Sequence, residues 1–134
     1  MPKDVILDTN VFVASGFNPH SASAKVVRQV REGKLQMIWD RHTRGEIEHI
    51  LGKIPGLSRR DSRALFQKSG RFRGRTHPSR FRYVPDPADR KFAALADASG
   101  ATLISNDDDL LRGRKRARAP IMTPREFQRK RSKG

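Results

Sequence analysis

Residues 86–111, DPADRKFAALADASGATLISNDDDLL, decide the fold of this chain. Asp86 followed by Pro87 is typical of a helix start, and the apolar positions that follow predict a helix that ends at Gly100. The next apolar run predicts a strand over 101–105, and three consecutive aspartates follow one residue after it. Since ligands of parallel sheets bind beyond the carboxyl ends of strands, these aspartates are candidates for a functional site.

A second strand end near the N-terminus carries another acid. Val5, Ile6 and Leu7 form a short apolar run that Asp8 follows directly, which predicts a buried strand with a carboxylate at its end. Asp8 has two interpretations: it caps the helix that follows, or it takes part in chemistry. Position alone leaves both open.

The remaining segments alternate between helix and strand patterns. Helices are predicted at residues 11–16, 21–32, from 41 to a stop at 55–56, from Ser58 with Leu65 and Phe66 buried, and after the capping box at 123–126. Strands are predicted at 35–39 and 119–122, and residues 81–84 are open between strand and loop. This alternation predicts a three-layer α/β/α sandwich with a mostly parallel central sheet.

Composition restricts the class of protein. The length of 134 residues predicts a single domain, 1–134. Hydrophobic residues make up 35% of the chain and charged residues 32%, and no apolar run is long enough to cross a bilayer. The chain has no cysteine, and the sequence at its beginning does not resemble a secretory signal. The cytoplasm is the expected compartment.

The net charge of +15 is concentrated in two segments. Residues 59–82 contain nine Lys and Arg against one acid, and the C-terminal tail at 112–134 contains ten against one. Such clustering favours nucleic acid as the partner, with an acidic protein or an anionic membrane surface as alternatives. Within the first segment, phenylalanines stand among the basic residues, which is typical of surfaces that bind phosphates and stack on bases, although a solvated loop explains the same pattern. The candidate RNA-binding residues are Arg71, Arg73, Arg75, Arg80 and Arg82.

Two helices contribute further acids. Glu46 and Glu48 flank the apolar stripe of the helix that begins at residue 41, and the pattern does not distinguish them. Asp89 shares a helix face with apolar positions and is predicted to point toward the core side, although it also suits the third position of a capped helix. Of the three consecutive aspartates, we expect Asp107 to belong to the site and Asp109 to cap the next short helix.

Four of these segments together resemble one family. LDTNV at 7–11, the helix with Glu46, DPADRKFAALA at 86–96 and LISNDDDLL at 103–111 occur in the order and spacing of PIN-domain ribonucleases, in particular the toxins of bacterial toxin–antitoxin pairs. The resemblance continues to MTPREF at 122–127. By this resemblance the acidic quartet is Asp8, Glu46, Asp89 and Asp107, and the polar neighbours that position the substrate are Thr9, Asn10 and Ser105.

The resemblance also implies an activity. Asp8, Asp89 and Asp107 are expected to hold Mg²⁺ or Mn²⁺, since grouped carboxylates without cysteine select a hard ion, and Glu46 is expected to complete the cluster or to orient the attacking water. The implied reaction is hydrolysis of RNA phosphodiester bonds. The implied partners are the RNA substrate, a cognate antitoxin and a second copy of the chain, with no membrane.

Other functions remain open. A phosphatase of the haloacid dehalogenase type also begins with an aspartate at a strand end, but it needs a second carboxylate where this chain has Asn10. A basic RNA-binding module whose acids only cap helices would bind RNA without cutting it. A PIN nuclease that processes RNA as a housekeeping function is the third alternative.

Overall fold

The structure, a computed structural model, describes residues 3–54 and 61–133. The strands in this part are β1 (Lys3–Leu7), β2 (Leu35–Met37), β3 (Thr102–Ile104) and β4 (Ile121–Met122). The helices are α1 (Thr9–Phe17), α2 (Ala22–Arg31), α3 (Arg41–Leu51), α4 (Asp61–Leu65), α5 (Arg90–Ser99), α6 (Asp108–Arg112) and α7 (Pro124–Lys133). No helix in the described ranges is long and apolar enough to cross a membrane.

The sheet is entirely parallel in the order β2-β1-β3-β4. The residues that pair β1 with β3, 5–7 and 102–104, are almost completely buried, as expected for strands that helices cover on both faces. Leu7 lies opposite Ile104, so these two central strands end level with each other. The predicted α/β/α sandwich is confirmed, and this register sets the residues after β1 beside those after β3.

Helix α5 packs against the two central strands and is deeply buried. Residues 92–96 are all buried, and α5 contacts both β1 and β3. Alanine at positions 93, 94 and 96 leaves room for the helix to lie close to the sheet, while Phe92 and Leu95 fill the core. At the other end, Gly100 adopts a left-handed conformation (φ 77°) that stops the helix as predicted.

Strand β2 is shorter than predicted, because the chain after Met37 changes partner. Trp39 forms an isolated parallel bridge with Arg71. The amide of Trp39 donates to the carbonyl of Gly70 at 3.0 Å, and the amide of Phe72 donates to the carbonyl of Trp39 at 2.8 Å. A Cβ at Gly70 would lie 2.1 Å from the Met37 carbonyl oxygen, so only glycine fits this contact. The Arg-rich segment is thereby attached to the edge of the sheet.

Several predicted boundaries were wrong. Helix α1 continues through Gly16 to Phe17, and α3 ends at Leu51, before the predicted stop. Residues 81–84 form no strand: Phe81 ends a 3-10 turn and is buried there, as is Val84. The predicted helix start at Ser58 lies outside the described residues. The capping box at 123–126 is confirmed by two 3.0 Å hydrogen bonds, in which the Glu126 amide donates to the Thr123 hydroxyl and the Thr123 amide to the Glu126 carboxylate.

Candidate active site

Asp8 lies directly after β1 and is 2% exposed. It is the N-cap of α1, where one carboxylate oxygen accepts the amide of Val11 at 3.2 Å. The other oxygen accepts the hydroxyl of Ser105, the residue that follows β3. The sequence left a choice between a cap and a site residue, but the capping interaction uses only one of the two oxygens. Asp8 is therefore a cap that also presents a buried carboxylate at the edge of the sheet.

The buried environment of Asp8 disfavours its charged form. Burial raises the pKa of this carboxyl from 3.8 to about 6, and the negative charge of Asp107 adds to the rise. The hydrogen bonds from Ser105 and Val11 lower the pKa but do not cancel the effect of burial. At neutral pH the protein consequently holds an unfavourable buried charge that a nearby cation would compensate.

Ser105 connects the ends of the two central strands. Its side chain is fully buried, donates to Asp8 and accepts the amide of Asp107 at 2.9 Å. Asp107 in turn caps α6 by accepting the amide of Asp109 at 2.8 Å. The prediction that Asp109 is the cap was therefore wrong, because α6 begins at Asp108, two residues earlier than a helix capped by Asp109 would. Asp107 resembles Asp8 in that each is both a helix cap and an acid at a strand end.

Asp89 ends the 3-10 turn Pro87–Asp89 that leads into α5, and the predicted cap of that turn, Asp86, accepts the amide of Ala88 at 3.0 Å. The Asp89 pKa is raised to about 7, first by burial, then by a hydrogen bond and by charge repulsion from Asp107, with smaller contributions from Asp86 and Asp8. Two carboxyl groups share a hydrogen bond only if one of them carries a proton. Asp107 thus comes near enough to Asp8 and Asp89, which belong to distant segments, to raise the pKa of both carboxyl groups.

Glu46 lies on α3 and is held by two other residues. The hydroxyl of Thr9 donates to one carboxylate oxygen, and the ammonium of Lys91 donates to the other at 3.0 Å. Glu48 instead pairs with Arg44 one helical turn away, and both side chains are more than 40% exposed. Of the two glutamates, Glu46 is therefore connected to the strand-end segments. Lys91 was not recognised in the sequence, since no local pattern marks a lysine whose partner lies 45 residues away.

The aspartates suit a divalent ion by their chemistry, although their side chains are not arranged around one. Among the residues described, no three Asp, Glu or His side chains form a group ready to hold a metal. The pKa values of Asp8 and Asp89 are raised chiefly by burial and by negative neighbours, so both carboxyl groups bind a proton more tightly than a free aspartate does. A cation would displace the proton and relieve the repulsion, so an oxygen-preferring ion fits the donor set.

The three predicted polar neighbours are placed differently. Thr9 and Ser105 each hydrogen bond to a member of the acidic quartet. Asn10 is exposed and lines a separate groove of about 690 Å³ on the α1–α2 side of the molecule, together with Asn106 and Phe17. The side chain of Asn106 is fixed there by a 3.0 Å hydrogen bond to Ser23.

The structure divides the five candidate arginines into two sets. Arg71, Arg73 and Arg75 line an open groove of about 480 Å³ at the start of α3, which Arg41 and His42 also line. Arg80 and Arg82 are exposed near the turn at 78–81 and do not line that groove. The guanidinium of Arg71 lies 5.7 Å from the centre of the Trp39 ring, which is a cation–π contact.

A parallel sheet that gathers carboxylates from separate segments at its carboxyl edge is the architecture of a PIN-type α/β protein. The sequence model of the PIN-domain family matches residues 4–109 of this chain. The chain therefore belongs to the PIN-domain family, whose members are generally nucleases. No curated protein matches its sequence significantly.

Two solved structures have a similar fold. PAE2754 from Pyrobaculum aerophilum is 20% identical, with a TM-score of 0.52 and coverage of 96% of this chain and 97% of the other. VapBC2 from Rickettsia felis, bound to a DNA fragment from their promoter, is 15% identical, with a TM-score of 0.52 and coverage of 89% and 96%. At these identities the similarity shows the fold alone.

Proposed function

We propose that the protein is an endoribonuclease that hydrolyses RNA phosphodiester bonds with Mg²⁺ or Mn²⁺ as cofactor. The observation that carries the proposal is the meeting of Asp8, Asp89 and Asp107, which are up to 99 residues apart in sequence, at one edge of the sheet. A fold that needed only helix caps would have no reason to bring these acids together, because their mutual repulsion weakens it. Membership of the PIN family supports the nuclease function.

The metal would be held by Asp8, Asp89 and Asp107. When bound, it would lower the pKa of the attacking water and offset negative charge on the phosphate. The protein's own contribution is to fix the acids. The Val11 amide and the Ser105 hydroxyl orient Asp8, and the Asp109 amide orients Asp107. Glu46 is held by Lys91 and by Thr9, the residue that follows Asp8, and its role would be to orient the water.

RNA would reach this site along the basic groove. Arg71, Arg73 and Arg75 supply charges for phosphates, and the groove lies at the beginning of α3, the helix that carries Glu46. The proposed substrate is single-stranded or looped RNA, since an open groove with guanidinium groups and Phe72 in its lining suits an unpaired strand. Arg80 and Arg82 would add only to the general attraction, because they lie outside the groove.

We further propose that the nuclease is the toxin of a toxin–antitoxin pair, active in the cytoplasm and blocked by a cognate antitoxin, with a homodimer as its assembly. The four motifs that resemble PIN toxins and the structural similarity to VapBC2 support this proposal. Expression of the chain alone should stop cell growth, and Asp8→Asn should not. A housekeeping RNA-processing nuclease would leave growth unaffected at the same level of expression.

The decisive experiment is cleavage of purified RNA. Cleavage should require Mn²⁺ or Mg²⁺ and stop in EDTA, and Asp107→Ala should slow it by at least about a hundredfold, which is typical when a group that acts at the reacting phosphate is removed. Asp108→Ala is the matched control, because Asp108 is the exposed neighbour in sequence. Binding without metal-dependent cleavage would instead establish the RNA-binding module. Equal cleavage by Asp107→Ala and the wild type would point to a contaminating nuclease.

A further inference from the structure

Glu46 and Lys91 form an ion pair that joins two helices at the acidic edge. The ammonium of Lys91 lies 3.0 Å from the Glu46 carboxylate, and the two side chains are only 27% and 26% exposed. The pair connects α3 with α5, so both side chains are held in place by packed helices. With Thr9 on its other oxygen, Glu46 has a donor on each side.

The position of this pair separates it from an ordinary surface ion pair. Both partners of Glu46 come from segments that carry a site aspartate: Thr9 follows Asp8, and Lys91 stands two residues after Asp89. Arg44 and Glu48, also on α3, form an ordinary surface ion pair, because they are neighbours on one exposed helix face. Such pairs contribute little to the stability of the fold. The Lys91–Glu46 pair is instead joined to the segments that carry Asp8 and Asp89.

We infer that Lys91 is a positioning residue that holds Glu46 beside the three aspartates and out of direct contact with the metal. This inference rests on the proposed metal-dependent function and assigns Glu46 a single role in it. With Lys91 bound, Glu46 is neutralised and fixed, so the metal is left to the aspartates. Without Lys91, Glu46 would become a fourth free carboxylate at the site, and the local net charge would fall by one.

Loss of Lys91 should change the affinity for Mn²⁺ in the opposite direction to loss of a purely structural salt bridge. Loss of Lys91 should tighten Mn²⁺ binding, because a positive charge that repels the ion is removed and a carboxylate that attracts it is released. The same loss should slow cleavage, because Glu46 is no longer held to orient the water. A purely structural pair would, on removal, weaken the fold and reduce metal binding and cleavage together.

The test is a calorimetric titration of the full chain with Mn²⁺ in the absence of RNA. Lys91→Met should bind Mn²⁺ roughly tenfold more tightly than the wild type, and Glu46→Gln roughly tenfold more weakly, on the scale expected for one charge near a divalent ion. The double variant should return close to wild-type affinity. Lys91→Arg should keep both the affinity and the rate of the wild type, and Lys25→Met, at an exposed position of α2, controls for net charge.

Cleavage measurements at saturating Mn²⁺ complete the test. Lys91→Met should lower kcat about tenfold with little change in KM, as expected for loss of an orienting interaction. Wild-type or weaker Mn²⁺ affinity in a folded Lys91→Met variant would overturn the inference, as would an affinity of Glu46→Gln equal to that of the wild type. If the wild-type protein bound no Mn²⁺, the metal-dependent function itself would be refuted. Failure of the inference and failure of the function are thus distinguishable.

Discussion

Replacement of Asp8 by asparagine should stabilise the metal-free protein while abolishing cleavage. Asparagine keeps an oxygen that can accept the Val11 amide, and its amide group can donate to Ser105, so the cap of α1 persists without the charge. The wild-type carboxylate, 2% exposed, has its pKa raised from 3.8 to about 6. The fold therefore holds this charge at a cost that the variant avoids.

The size of the effect follows from the pKa. Because one pKa unit corresponds to about 1.4 kcal/mol, the ionised Asp8 destabilises the folded state by about 3 kcal/mol at neutral pH. An altered hydrogen bond to Ser105 removes about 1 kcal/mol of the gain, which leaves about 2 kcal/mol, or about 8 °C in Tm. Since the folded protein binds the proton more tightly, the wild type should lose stability as pH rises from about 4 to about 6.

The assay is urea unfolding of wild type and Asp8→Asn in EDTA between about pH 4 and about pH 8. The two proteins should be nearly equally stable at the acid end and separate as pH rises through about 6. Mg²⁺ should then stabilise the wild type more than the variant, because only the wild type presents all three aspartates to the ion. Asp108→Asn serves as the control for removal of an exposed charge. A variant less stable than the wild type at pH 8, or a gap independent of pH, would refute the assignment.

Two further predictions concern the helix cap and the groove. Relative to Asp107→Asn, which also removes the charge but keeps a capping oxygen, Asp107→Ala should cost about 1 kcal/mol in the free energy of unfolding, measured by denaturant. Asp109→Ala relative to Asp109→Asn should cost clearly less, and equal losses would restore Asp109 as the cap. Arg71→Gln and Arg73→Gln should each reduce the slope of log RNA affinity against log salt by about 1, measured by filter binding, and Arg80→Gln should change it less. Equal slopes for all three variants would show that the groove is not the path of the RNA.

The sequence was sufficient for the parallel sheet and for the placing of acids at its edge. Strands covered on both faces must be apolar throughout, so 5–7 and 102–104 are recognisable without other information. Once both are strands of one parallel sheet, Asp8 and Asp107 must lie at the same edge. The inward direction predicted for Asp89 rested on the apolar positions Phe92 and Ala93 on its helix face; these two are buried, and Asp89 itself is partly buried.

Other features depend on contacts that no local pattern contains. Any of three consecutive aspartates can cap a helix, and the choice of Asp107 follows from where β3 ends and from the hydrogen bond between its amide and Ser105. Strand β2 was predicted to reach Trp39 because the segment is apolar, but the backbone of Trp39 pairs with residues 70–72 instead. The helix pattern did not distinguish Glu46 from Glu48, and only the family resemblance favoured Glu46. The contacts that Glu46 makes with Thr9 and Lys91 form only in the folded chain.

The pKa values of Asp8 and Asp89 are raised by different surroundings. Asp8 has its pKa raised to about 6 by burial, against hydrogen bonds from Ser105 and Val11 that favour the charged form. Asp89 is only partly buried and makes no capping bond, and its pKa is raised to about 7 by burial together with the carboxyl of Asp107. Because a metal ion must displace the protons that these two acids hold, metal binding should weaken as pH falls below about 7.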